Sequence, residues 1–194
     1  MRKRSLLAIG VAALVALLVT GCGDPNAPPQ PTGPVTFKNT ATVVIGMDPP
    51  HDGRNPSLGT LLAVNTDQNV PATLDTVTVG PEAGGLSVKD AWVLPLLSDI
   101  EFGGGFQVPP DGHFPSPEQD RQWQARQPLT GYTLQPGETV NLLVALDSMD
   151  PCGGTSDWVA MTYHVGGQAH MASAPMGADV SVDEATDPPE ECVS

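Results

Sequence analysis

The chain has 194 residues, of which 22 are Asp or Glu and 8 are Lys or Arg, for a formal net charge of −14. A surface of that sign repels nucleic acid and anionic lipid headgroups, which excludes a nucleic-acid partner and any electrostatic mode of membrane binding. The length suits one domain with a single core, plus tails.

At the N-terminus, Arg2, Lys3 and Arg4 form a basic n-region, and Leu6 to Val19 follows without a polar side chain. That run is long enough for a signal-peptide h-region and short for a membrane-spanning helix. Val19-Thr20-Gly21-Cys22 comes next. This tetrapeptide resembles the lipobox of bacterial lipoproteins, with Val19 where the usual pattern opens on Leu. The resemblance implies that residues 1–21 are a lipoprotein signal peptide, that the Cys22 thiol carries the lipid, and that the mature protein is held on the outer side of a cell membrane, facing the extracellular space or periplasm. Removing Arg2, Lys3 and Arg4 leaves 5 basic residues against 22 acidic ones, or −17. Attachment must then come from acyl chains, each buried methylene contributing about 0.8 kcal/mol.

Residues 22–34 comprise the lipidated cysteine and a proline-rich tether. Five of the twelve residues from Gly23 to Pro34 are proline, so neither helix nor central strand is expected. A polyproline tether of that length reaches about 37 Å. The domain is expected over 35–182, followed by an acidic tail at 183–194.

Within the domain, short runs bounded by Gly, Pro, Asn and Asp predict seven strands: 41–47, 58–64, 74–79, 88–94, 140–146, 158–165 and 168–174. No stretch shows sustained helical periodicity. Val140, Leu142, Val144 and Leu146 alternate on one face. Gly166-Gly167 supplies a two-residue turn that places Tyr163 opposite His170, Thr162 opposite Met171 and His164 opposite Ala169. The fold class expected is all-β: an antiparallel, immunoglobulin-like β-sandwich of about seven strands, with a closed barrel as the alternative. Tyr132 to Val140 contains Gln135-Pro136-Gly137-Glu138, where proline presets φ and glycine supplies the positive φ of a turn. It resembles the turn before a strand in many bacterial immunoglobulin-like domains, and Leu62-Ala63-Val64-Asn65-Thr66 is similar to a strand-and-turn of the same group. Together these segments resemble extracellular lipoproteins of high-GC Gram-positive bacteria, which implies location and fold but no activity.

The irregular stretch is 95–131, with Gly103-Gly104-Gly105 and several prolines. It holds Phe102, Phe106, Phe114 and Trp123, and a short helix is expected from Glu118 to Gln127 after Pro117. Arg121 and Arg126 are two of the five basic residues of the mature chain. Aromatics and arginine carry binding energy at interfaces, so Phe102, Phe106, Phe114, Arg121, Trp123 and Arg126 form the candidate partner-binding loop. The competing expectation is a loop folded down on the sandwich as a satellite core.

Enzyme signatures such as the Gly-x-Ser-x-Gly elbow, the Walker loop and the dinucleotide glycine pattern are missing from the sequence. An exported pair, Cys152 and Cys192, reads as one disulfide stabilising by about 3–4 kcal/mol. With Cys22 lipidated, no thiol nucleophile then remains. His51, Asp52, Asp111 and His113 sit in Pro/Gly loops and read as solvated. Met149, Met161, His164, His170, Met171 and Met176 offer thioether and imidazole suited to copper, but the hairpin register puts the two histidines on opposite faces. No cofactor and no metal are assigned. The leading expectation is a non-enzymatic envelope module that binds an unidentified protein or cell-wall component. The alternatives are a copper- or other metal-handling lipoprotein using the Met/His hairpin, and an enzyme of unrecognised type.

Overall fold

The computed structural model describes residues 24, 26–38, 42–50, 54–81, 84–96, 106–108, 114, 116–148, 150 and 152–181. Cys22, Cys192, the signal and tail segments, Phe102, Met149, His51, Asp52, Asp111, His113 and the side chain of Phe106 lie outside them.

Among the described residues the fold is all-β with one short helix. The strands in order are β1 (Val35–Phe37), β2 (Val43–Met47), β3 (Asn55–Asn65), β4 (Ala72–Gly80), β5 (Leu86–Leu94), β6 (Phe106–Val108), then α1 (Pro117–Gln124), then β7 (Gln127–Pro128), β8 (Thr133–Leu134), β9 (Thr139–Ser148), β10 (Gly153–Ser156), β11 (Trp158–Val165), β12 (Gln168–Ala174) and β13 (Met176–Ser181). Each of the seven expected strands lies on one of these. The strand number is a correction: β1, β6, β7, β8, β10 and β13 add to the seven.

Among the described residues, strand pairing falls into three sheets. The largest runs β1-β3-β9-β5-β7 with β6 on β3, a second runs β12-β11-β4-β8, and the third runs β10-β13-β2. All named pairs are antiparallel except β13 with β2, which is parallel. The large sheet packs as one layer against the other two. Val140, Leu142, Val144 and Leu146 of β9 face Val77, Val79, Met161, Tyr163, Met176 and Val180 in one core. The period-2 alternation of β9 thus points its aliphatic face inward, as its sequence predicts. The β11–β12 hairpin adopts the expected register, Tyr163 opposite His170, Thr162 opposite Met171 and His164 opposite Ala169. Gly166 and Gly167 take φ of 57° and 84°, which the two-residue turn requires of its central positions.

Two polar devices tie the loops to this frame. Glu138 N–H donates to Gln135 O (3.0 Å) and Gly137 has φ 72°, closing the expected Pro-Gly turn. The Glu138 carboxylate caps it, accepting from Gln135 N–H (2.6 Å) and the Tyr132 hydroxyl (2.7 Å). Asn65, fully buried, donates to Val70 O and Leu134 O and accepts from Asp67 N–H, so its amide serves both neighbouring segments.

The proline-rich segment is a second correction, because from Asn26 onward it lies on the domain instead of hanging free. Trp158 Nε1 donates to Asn26 O (3.1 Å) and Ser173 Oγ to Pro29 O (2.7 Å). Thr32 exchanges two bonds with Met171, N–H to Met171 O (2.7 Å) and Oγ1 from Met171 N–H (3.0 Å). Pro34 O then accepts from Thr66 N–H and Oγ1. Proline lacks a donor but keeps its carbonyl. A proline-rich strand can therefore satisfy the outer edge of β12, which would otherwise present a row of unpaired groups. The segment acts as a strap from the edge of one layer to β1 of the other.

Candidate functional site

The described part of the irregular stretch covers the outer face of the large sheet with Val108, Phe114 and Trp123. With β9 alternating, Asn141 and Leu143 point away from the main core. Their partners on β5, Leu94 opposite Asn141 and Trp92 opposite Leu143, share that face. Leu94, Leu143, Phe114 and Trp123 form a second apolar cluster, with Trp92 and Val108 packed on it.

Helix α1 delivers Trp123 to this cluster. Ser116 is its N-cap and Pro117 opens it, with Glu118 and Asp120 in the first turn, where carboxylates complement the helix dipole. Asp120 also accepts from Phe114 N–H (3.1 Å), which draws the preceding chain over the helix. The Trp123 ring meets Trp92 edge-on at 5.1 Å and Phe114 at 5.5 Å, the T-shaped geometry that ring quadrupoles favour. Arg126 lies over the Trp123 ring, its Cζ 3.7 Å from the centroid, and donates Nη1 to Trp123 O (2.9 Å). The arginine beside tryptophan is thus a lid on the indole.

These positions decide between the two expectations for the described part of the loop. Trp123 is 3% and Phe114 7% exposed, so neither is offered to a partner, and this part of the stretch is a satellite core. Arg121 is exposed, and Arg126 is half-buried against the indole. Phe102 and the Phe106 side chain lie outside the described residues. The helix spans 117–124, ending three residues earlier than expected.

Sequence reasoning missed the polar residues of this site. Gln122 is fully buried with neither amide atom hydrogen-bonded, and Trp123 Nε1 and Asn141 Oδ1 are also buried without partners. Asn141 does use its Nδ2, donating to Gly59 O at 2.6 Å. The signal for this face was available: Trp92, Leu94 and Leu143 are large and apolar on the side of their strands opposite the main core, so something had to cover them.

The thioether and imidazole groups of the β11–β12 hairpin are not brought together. Met161 and Met176 belong to the main core, and Thr60 Oγ1 donates to Met176 Sδ (3.4 Å). His170 stacks on Tyr163, centroids 5.6 Å apart, while His164 projects to solvent. Among the described residues no group of three or more His, Cys, Asp or Glu could hold a metal ion. Asp150 Oδ1 accepts from Cys152 N–H (2.8 Å), holding the turn before β10. Among the described residues, no helix is long and apolar enough to cross a membrane. No family model and no curated protein matches the chain.

Proposed function

We propose that the chain is a lipid-anchored extracellular lipoprotein whose β-sandwich is a non-enzymatic binding or structural module of the cell envelope, with the immunoglobulin-like character its turn motifs suggest. The observation that carries this reading is the order Arg2-Lys3-Arg4, apolar run, Val19-Thr20-Gly21-Cys22. The folded domain engages the chain from Asn26, just past the cysteine. That arrangement suits a mature N-terminus at Cys22. An oxidising compartment fits the pair Cys152 and Cys192, which we propose are joined as one disulfide.

The test is Cys22→Ser, which removes the acceptor thiol. Wild-type protein is expected to enter the detergent phase and to carry an N-terminal mass increase equal to its acyl and glyceryl groups. The variant is expected to stay aqueous. Wild-type protein wholly in the aqueous phase with an unmodified N-terminus rejects the anchor.

A further inference from the structure

The docked strap changes what the anchor does. Only four peptide steps separate Cys22 from Asn26, and a fully extended chain spans at most about 14 Å over that distance. Asn26 is held at one end of the sandwich, where Trp158 Nε1 donates to its carbonyl. Trp158 begins β11 beside Gly80, the last residue of β4, and Asp157 N–H donates to Gly80 O. The same end carries Pro175, whose carbonyl accepts from Val43 N–H, and the start of β2, where Val43 pairs with Met176. Val43 and Val44 are 41% and 57% exposed, two of only three large hydrophobic residues exposed among the described residues. The opposite end is the Gly166-Gly167 turn, roughly 20–25 Å away along β11.

Resting on the lipoprotein reading, we infer that the Trp158–Val43 end of the sandwich sits against the lipid surface, on a leash of three residues, Gly23 to Pro25, with the Gly166-Gly167 hairpin turn directed outward. The twelve-residue spacer expected from composition is replaced by a short leash because nine of its residues, 26–34, are spent on the β12 edge. Two forces orient a body held this closely. The acidic domain is repelled by anionic headgroups, which favours standing on the anchored end over lying flat. The apolar side chains at that end, Val43 and Val44, are the groups that tolerate contact with the interface. Outward display then belongs to the β11–β12 turn and the neighbouring loops.

The test measures height above the membrane. Lipidated full-length protein carrying Val44→Cys or Gln168→Cys, both at exposed positions, is labelled with a donor dye. It is reconstituted into phosphatidylcholine–phosphatidylglycerol vesicles containing a headgroup-labelled acceptor. Energy transfer is expected to be strong from position 44 and several-fold weaker from 168. A ten-residue Gly/Ser insertion between Gly23 and Asp24, which leaves the strap bonds in place, is expected to cut transfer from position 44 towards the level of 168. Protein that floats with the vesicles but shows equal transfer from both sites, or is unaffected by the insertion, overturns the orientation alone. Protein that fails to float overturns the anchor and the orientation with it.

Discussion

The Tyr163 hydroxyl donates to the carbonyl of Thr32 at 2.6 Å, a contact across 131 residues of sequence that fixes the proline-rich strap to the centre of the β11–β12 hairpin. The same oxygen accepts from Val35 N–H at 3.0 Å, so one phenol serves the strap and the first strand together. Tyr163 is otherwise fully buried in the main core. Tyr163→Phe keeps the ring and deletes both bonds, leaving a buried N–H without a partner. The expected loss is about 1–3 kcal/mol, read as a lower denaturant midpoint. Amide exchange should accelerate at Thr32 and Val35 first. Unchanged exchange there would show that the strap is held by its other bonds alone.

Trp123→Ala empties the satellite core beneath α1. A buried large aromatic truncated to alanine costs about 3–5 kcal/mol, and Arg126 loses the ring it lies on. The expected outcome is a large fall in melting temperature with the far-ultraviolet β signal of the sandwich preserved below it. The main core, including Leu142 and Met161, is built from the other face of the sheet. A variant as stable as wild type would return the indole to the role of an exposed binding group.

Six of the seven expected strands were legible because they are short runs rich in β-branched and aliphatic residues, and the seventh, Gln168–Ala174, because it follows the Gly166-Gly167 turn. The strands that escaped are made of other material. β10 is Gly-Gly-Thr-Ser and β13 is Met-Gly-Ala-Asp-Val-Ser, low in β-propensity, and β13 follows a proline. Their small residues permit close approach: a Cβ on Gly177 would lie 2.0 Å from Ser156 O. The strap was hidden for a different reason. Proline content reports that a segment cannot donate along a ladder, not that its carbonyls have no donors to meet, and the donors here (Trp158, Ser173, Tyr163) are more than 125 residues downstream. In the aromatic stretch, residue types showed that something is buried or bound, while the choice lay in the outward faces of β5 and β9. Gln122 had no signal at all, since a glutamine beside charged residues on a short helix reads as surface.

Gln122→Met tests that glutamine. Its amide is fully buried with both polar atoms unpartnered, and a buried group in that state forfeits about 1–3 kcal/mol of desolvation. Methionine has nearly the same shape and no strong polar demand. The substitution is expected to raise stability, measured as a higher denaturant midpoint at unchanged slope. A decrease would mean that the amide meets ordered water or a ligand, and a search for that occupant would start at Gln122, Trp123 Nε1 and Asn141 Oδ1.

Tyr132 gives the fold a defined alkaline limit. Burial, then the hydrogen bond and negative charge of Glu138, push its phenol up to about 12 from an ordinary value of 10.0. Burial also raises Tyr163, against an opposing backbone bond at Val35. A phenol whose folded pKa lies above its unfolded one is ionised more readily in the unfolded chain. Its contribution is therefore complete below pH 10 and is lost as pH rises through the interval to about 12. Stability measured by denaturant should be flat with respect to Tyr132 at neutral pH and fall steeply above 10. Tyr132→Phe should shallow that fall by removing one titrating group. Glu138→Gln should bring the Tyr132 titration, followed by phenolate absorbance, part of the way back towards 10, since burial, the largest cause, remains. An unaltered titration in Glu138→Gln would show that the 2.7 Å Tyr132–Glu138 bond does not persist in solution and that the Pro-Gly turn is held by its backbone alone.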